Sequence, residues 1–287
     1  MPHPIELPPR YYLSHFRELL EDITKRFQSF LRPVHLDFLK EFYGLSEDAQ
    51  CLYVRMVNRK GAFFFKDSLS YQEINNIPAG LIELEKFGFI RMPVARDVEG
   101  IINFLPKDDL IAMISSGTLD FRKSWSREKL KELAMLHFHV PDGLVVQGRT
   151  DQLQYLLFLF FGKIQESLTL YTLRDLGIRK ANSYQGSMKA KFKSLEEAEA
   201  HYFYARLNHE FCLQFDLTSW PIPLNTESEM LREGLLLRMA EHHKKDENYE
   251  EALSYLRGCV THPGRERLCR LLYQLTARLN ARNYYAV

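Results

Sequence analysis

The sequence predicts a mainly α fold: a winged-helix-like unit with short strands, then a helix pair, then tetratricopeptide-like helical hairpins. Three observations predict it. Apolar residues recur at helical spacing along most of the 287 residues, hydrophobic residues make up 46% of the chain against 26% charged, and Phe and Tyr number 20 and 15. Such a composition fits a globular protein with an aromatic-rich core and length for two or three modules.

Pro2, Pro4, Pro8 and Pro9 predict an extended lead-in, because proline fixes φ and restricts its predecessor. Phe16, Leu19, Leu20, Ile23 and Phe27 then follow helical spacing from Tyr11, and Pro33 ends that helix. A second helix starts near Val34 and stops at Gly44, a C-cap candidate. Ser46, with Glu47 and Asp48 behind it, opens a third, since acceptor oxygens and acids suit the free N–H groups of a first turn. After Gly61 the aromatic run Phe63-Phe64-Phe65 reads as a short strand. Ser70 is expected to cap a helical turn with Glu73 in the capping-box position. Leu81, Ile82, Leu84 and Phe87 form the next apolar stripe, stopped at Gly88 and followed by a second short strand. Helix, strand, helix, glycine, strand is the order of a winged helix-turn-helix.

A second unit runs from about Leu105 to Phe161. From Ser126 onward it reads as two helices joined by a glycine-containing loop that includes the turn Pro141-Asp142-Gly143. Leu130, Leu133, Ala134 and Leu136 make a core stripe on the first of these helices, leaving Lys129 and Lys131 toward solvent. Between Gly162 and Ser194, seven basic residues (Lys163, Arg174, Arg179, Lys180, Lys189, Lys191, Lys193) face two acids, and the sign then reverses at Glu196, Glu197 and Glu199. From Leu195 helix dominates, and Tyr249, Ala252 and Leu253 fall where a tetratricopeptide hairpin places its packing residues. The expected modules are residues 1–100, 101–162, 163–194 and 195–287.

Several classes of chemistry lose support. The formal charge is +1, so a polyanion partner has to be argued from local clusters. Cys51, Cys212, Cys259 and Cys269 form no C-x-x-C pair, which speaks against a disulfide framework or structural zinc. The N-terminus has no secretory pattern, and the most apolar run, Leu153 to Phe161, is too short to span a bilayer. An intracellular protein is expected, in the nucleus if eukaryotic or the cytoplasm and nucleoid if bacterial, with no membrane partner. Phosphate-loop, dinucleotide and G-x-S-x-G patterns do not occur. The histidines, including His137, His139, His242 and His243, match no zinc spacing and read as ordinary core or surface residues. Restriction-type nucleases hold a divalent metal with an Asp and the acid of a (D/E)-x-K element. No lysine here has Asp or Glu two positions before it, so Pro141-Asp142 reads as a turn.

What is left is a set of basic surfaces. Arg122, Lys123, Arg127, Lys129 and Lys131 lead into and along one amphipathic helix, and Arg149 lies in the loop entering the next. Such groups can clamp phosphates through counterion release rather than base reading. Lys163, Arg179, Lys180, Lys189, Lys191 and Lys193 form a second basic stretch, beside which Tyr184 offers a ring for base stacking. Arg59, Lys60 and Lys66 border the expected wing and carry a weaker version of the same expectation. For any one lysine of the amphipathic helix a solvated face is an equally good account, and for the stretch from Arg179 to Lys193 the alternative is a flexible basic loop with no partner.

The segments YYLSHFRELLEDI, LSEDAQCLYVRMVNRKGAFFFKDSLSYQEI and GLIELEKFGFI resemble the amino-terminal region of the Fanconi-anaemia-associated nuclease family. LKELAMLHFHVPDGLVVQGRTDQLQYLL resembles that family's SAP motif, and DENYEEALSYLRGCVTHPGRERLCRLLYQL its tetratricopeptide-like region. The resemblance follows the family's order along nearly the whole chain. It implies binding to double-stranded or 5′-flapped DNA in interstrand-crosslink repair, with Lys129, Lys131, Arg149 and Lys163 as the SAP-like basic positions. In that family a VRR-NUC domain using Mg²⁺ or Mn²⁺ should follow where this sequence ends at NARNYYAV, so the sequence is read as a truncated product or one from a gene that has lost its nuclease, with no catalytic residue and no metal expected within it. A nuclease domain or other repair proteins would be partners. Two alternatives stand beside this reading: a protein-interaction adaptor built on the helical hairpins, and a fragment of a full-length 5′-flap endonuclease and 5′-to-3′ exonuclease.

Overall fold

The computed structural model describes residues 8–115, 121–165, 192–211 and 219–285. Described residues up to 156 belong to one compact unit, and those at 157–164 and from 192 onward to a second.

The first unit opens with α1 (Tyr11–Phe27), α2 (Pro33–Gly44) and α3 (Glu47–Val57). The apolar face of α1 is buried along its whole length, from Leu13 and Phe16 to Ile23 and Phe27. Pro33 starts α2 rather than merely ending α1: it sits in the first turn, where a missing N–H costs nothing. Ser46 Oγ accepts from the Ala49 N–H, so the expected cap of α3 is in place. Phe16, Phe38, Phe42, Tyr53 and Phe89 are fully buried; Phe38 and Phe42 lie parallel and the other pairs meet edge-on or tilted, with Tyr53 and Phe89 centroids 4.9 Å apart.

The residues around Ser70 depart from the expected capped turn. They form an irregular loop, and α4 (Ile77–Lys86) begins later, with Asn76 Oδ1 accepting from the Ala79 N–H at 3.0 Å. The physical reason is Glu73, whose carboxylate is occupied elsewhere. It accepts from the Tyr12 hydroxyl at 2.8 Å and from Arg55 at 2.8 and 2.5 Å. Arg10 donates to the Glu73 carbonyl at 3.1 and 2.7 Å and pairs with Asp48 at 2.7 Å. The Arg55 guanidinium lies over the Tyr12 ring at 4.2 Å and the Tyr71 ring at 5.3 Å. Long-range hydrogen bonds to charged groups thus displace a local cap. On α4, Leu81 and Leu84 are buried, but Ile82, expected in the stripe, is 70% exposed.

Strands β1 (Phe63–Phe65) and β2 (Ile90–Arg91) occur where the aromatic run and the Gly88 stop predict them, but they do not pair with each other. A third strand, β3 (Leu144–Gln147), lies between them and is antiparallel to both. Phe63, Phe64 and Phe65 face Val146, Val145 and Leu144, while Ile90 faces Gln147. The sheet therefore crosses the boundary expected at residue 100, and the loop expected between the two helices of the second unit carries its central strand. Alternation cannot reveal such a strand, because Leu144, Val145 and Val146 are all buried.

Beyond β2, Arg91 binds Asp97 with two parallel bonds of 2.6 and 2.8 Å, fixing the entry to α5 (Val98–Phe104). Helices α6 (Lys107–Ser115) and α7 (Arg127–Leu136) follow. Ile101, Ile102, Leu105, Leu110, Ile114, Leu130, Ala134 and Leu144 make one core, with Leu133 partly buried against it. Leu136, expected in that stripe, is 73% exposed at the end of α7. Helix α8 (Thr150–Phe161) starts in the first unit and ends in the second.

In the second unit α9 (Leu195–His209), α10 (Thr226–Lys245), α11 (Tyr249–Arg257) and α12 (His262–Tyr285) pack in succession. Ala252 is fully buried between α10 and α11, with Tyr249 and Leu253 packed around it, as the hairpin pattern predicts. Buried Glu233 accepts from the Thr261 N–H at 3.0 Å, which ties α10 to the start of α12.

Two predictions concern this frame. A Cβ on Gly148 would overlap the Gly88 carbonyl oxygen, whereas one on Gly44 meets nothing within 4 Å. Gly148→Ala is expected to lose about 2–4 kcal/mol in urea unfolding, and Gly44→Ala to change stability by less than about 1 kcal/mol. Equal midpoints for the two variants would rule out the close approach. Burial pushes the Glu73 carboxyl upward, but hydrogen bonds from backbone, Arg55 and Tyr12 outweigh it and hold the group below the ordinary range. A depressed folded-state pKa stabilises above the unfolded value of about 4.3 and ceases to do so as pH falls through the folded value. Glu73→Gln should therefore cost roughly 2 kcal/mol at neutral pH. The gap to wild type should narrow below about pH 4; a gap constant across that range contradicts the assignment.

Candidate nucleic-acid interface

The SAP-like surface is built from the turn that leads into α7. The Trp125 N–H donates to the Arg122 carbonyl at 2.9 Å, and Ser126 Oγ caps the helix through the Lys129 N–H. Trp125 packs its partly buried ring on the Ile101–Leu130 core, as Phe65 of β1 does. Lys129 Nζ stands 3.7 Å from the centre of the Trp125 ring. Arg122, Lys123 and Lys129 are exposed and Lys131 is half-buried. None of these four pairs with a carboxylate among the described residues. Arg127 behaves differently: it donates to the Asn103 and Leu105 carbonyls at 2.8 and 2.9 Å, satisfying the end of α5.

Arg149 is placed otherwise than its basic character predicts. Its backbone is left-handed at φ 55°, its Nε donates to the Phe87 carbonyl at 2.7 Å, and its terminal nitrogen pairs with Glu41 of α2. The guanidinium also lies 5.1 Å from the Phe89 ring, with the side chain 22% exposed. It joins α2, the α4–β2 turn and the start of α8, so its bonds are made within the fold. Lys66, beside the sheet, pairs with Glu85 at 3.2 Å. Lys60 is exposed, and its neighbour Arg59 lies over Tyr71 at 5.3 Å.

The remaining predicted positions belong to the second unit or lie outside the described residues. Lys163 is exposed just after α8, following Gly162 at φ 68°. Lys193 is exposed, and its backbone N–H donates to Glu197 at 2.7 Å. Arg179, Lys180, Lys189 and Lys191 fall outside the described residues. The structure thus groups Arg122, Lys123 and Lys129 around one tryptophan and withdraws Arg149 and Arg127 into the frame. Trp125 went unremarked in the sequence, although its i,i+4 spacing to Lys129 was visible there.

Asp142 is exposed in the turn before β3, where the Leu144 N–H donates to Pro141 at 3.2 Å. Among the described residues no three His, Cys, Asp or Glu side chains converge to hold a metal ion. No described helix is long and apolar enough to cross a membrane.

Residues 10–91 match the family model described as FAN1, HTH domain. A Fanconi-associated nuclease 1 homolog from Pseudomonas aeruginosa is 27% identical over 286 residues, covering 92% of this chain and 50% of that protein. A homolog from Arabidopsis thaliana is 26% identical over 208 residues, covering 64% of this chain and 23% of its own length. The crystal structure of paFAN1 bound to 2nt 5′-flap DNA with a gap superposes at a TM-score of 0.73 and 26% identity, over 94% of this chain and 52% of that one. A second paFAN1 structure, with a 1nt flap, matches at the same TM-score over 93% of this chain. The chain spans about half the length of the Pseudomonas relative or less of the plant one. The helix-turn-helix match over residues 10–91 and a fold shared along nearly the whole chain agree with the sequence motifs that resemble the Fanconi-associated nuclease family.

Proposed function

We propose that this chain grips duplex DNA carrying a short 5′ flap, as the DNA-holding portion of a structure-selective repair nuclease of the interstrand-crosslink type. The observation that carries the reading is the likeness, over 94% of the chain, to a protein crystallised on 5′-flap DNA. The exposed, unpaired cations around Trp125 support it, because phosphate contacts need charge that the fold has not already neutralised. Lys60 and Lys163 offer further cations of the same kind. Arg149 enters indirectly, by fixing where α8 begins.

In this reading the chain holds DNA and does not cut it. Recognition proceeds by duplex shape and backbone charge, so sequence preference is weak and affinity falls steeply with salt. No lysine has an acid two positions before it, which supports placing the metal-dependent step elsewhere. The 287-residue chain should retain labelled flap DNA in a gel-shift assay and release no product with Mg²⁺ or Mn²⁺; cleavage above background would overturn the division of labour.

The charge assignment has its own test. Replacing Lys123, Lys129 and Lys131 together by alanine should weaken flap binding at least tenfold at moderate salt, while leaving the thermal midpoint in place. The slope of log affinity against log salt should fall by about 2–3, close to one per lost phosphate contact. Arg149→Ala is expected to do the reverse, lowering the melting midpoint first. Wild-type binding by the triple lysine variant would sink the clamp.

A further inference from the structure

We propose that Trp125 is a positioning residue for Lys129: the indole face holds the ammonium at one fixed point beside the turn, ready for a phosphate. The inference rests on the DNA-gripping reading above and adds to it a residue with no charge of its own. An exposed lysine samples many rotamers, and ordering it on binding costs conformational entropy. A lysine already parked on a ring has met part of that cost before DNA arrives.

Three features make Trp125 a built platform. Its ring is anchored from below by the core of Ile101, Ile114 and Leu130, so the exposed face cannot tumble. Its backbone closes a turn onto Arg122, which fixes the ring against the helix start. Ser126 caps α7 through the N–H of Lys129 itself, so the same residue is held at backbone and side chain. Lys129 Nζ lies 3.7 Å from the ring centre, and no carboxylate among the described residues competes for it. Glu128 and Glu132 are exposed beside it, and neither pairs with a cation among the described residues. Arg127, one residue further into the helix than the cap, turns to the α5 carbonyls instead. An ammonium over a ring keeps its outward N–H groups free, so ring and phosphate bind it from opposite sides.

A double-mutant cycle on the whole chain separates positioning from simple packing. Lys129→Ala should weaken flap-DNA binding and reduce the salt slope by about 1. Trp125→Leu should weaken binding about threefold to tenfold with the salt slope unchanged, since the charge is still present. Trp125→Phe, which keeps an aromatic face, should recover most of that loss. In the Lys129→Ala background, Trp125→Leu should cost nothing further. An equal cost in both backgrounds would mean that Trp125 serves only the fold, and the inference fails while the clamp stands. If Lys129→Ala changes neither affinity nor slope, both fail, because there is no contact to position. The chain has 2 tryptophans, so in Trp220→Phe the emission reports Trp125 alone and needs no change to the platform. Flap DNA should perturb that emission, and Lys129→Ala should reduce the perturbation. Unchanged emission at saturating DNA overturns the proposal even where Trp125→Leu proves unstable.

Discussion

Strand β3 is the piece on which the first unit depends. Strands of three, two and four residues do not persist alone, so each needs the others. β3 takes the central place and gives both short partners a neighbour. The ladder continues past the strand ends, with Lys66 donating to Gly143, Gln147 to Ala62 and Gly148 to Phe89, at 2.7 to 2.9 Å. The last of these bonds brings the Gly148 backbone against Gly88, where a side chain has no room. The chain then turns through the left-handed backbone of Arg149 into α8. Non-glycine residues hold that conformation only where their surroundings compensate. Here the compensation is visible in the bonds of the guanidinium to Phe87 and Glu41.

Around this sheet, charge works in two distinct ways. Arg10, Arg55, Arg91, Arg127 and Arg149 each reach a specific carbonyl or carboxylate and hold loops that have no regular structure of their own. The planar guanidinium suits this task, since it satisfies two acceptors at once. Lys123 and Lys129 near α7 stay at the surface and meet no carboxylate among the described residues. In a near-neutral chain, these arginines thus spend their charge within the fold, while Lys123, Lys129 and Lys131 meet no carboxylate among the described residues.

How much of this was legible in the sequence depended on how local the cause was. Helices α1 to α3, the Ser46 and Ser126 caps and the α10–α11 hairpin follow from periodicity and capping chemistry within a dozen residues. Glu73 looked like a cap because Ser70 stands three residues before it, yet its partners come from Tyr12 and Arg55, far off in sequence. β3 hid behind three consecutive buried residues, a pattern that helix and strand share. The candidate site divides along the same line. Lys123 and Lys129 were readable as exposed basic positions, but Arg149 was not readable as a frame residue, because Glu41 and Phe87 lie more than sixty residues before it.

A sheet completed from a distant stretch of chain also bears on how such proteins diversify. Residues 101–162 resemble a portable cassette in sequence, yet lifting them out would strip β3 of both neighbours and leave two bare strand edges, an invitation to aggregation. The donor would keep β1 and β2 with nothing between them. Phe63 through Gly148 thus act as one block of the fold, since the strands that bound it depend on one another.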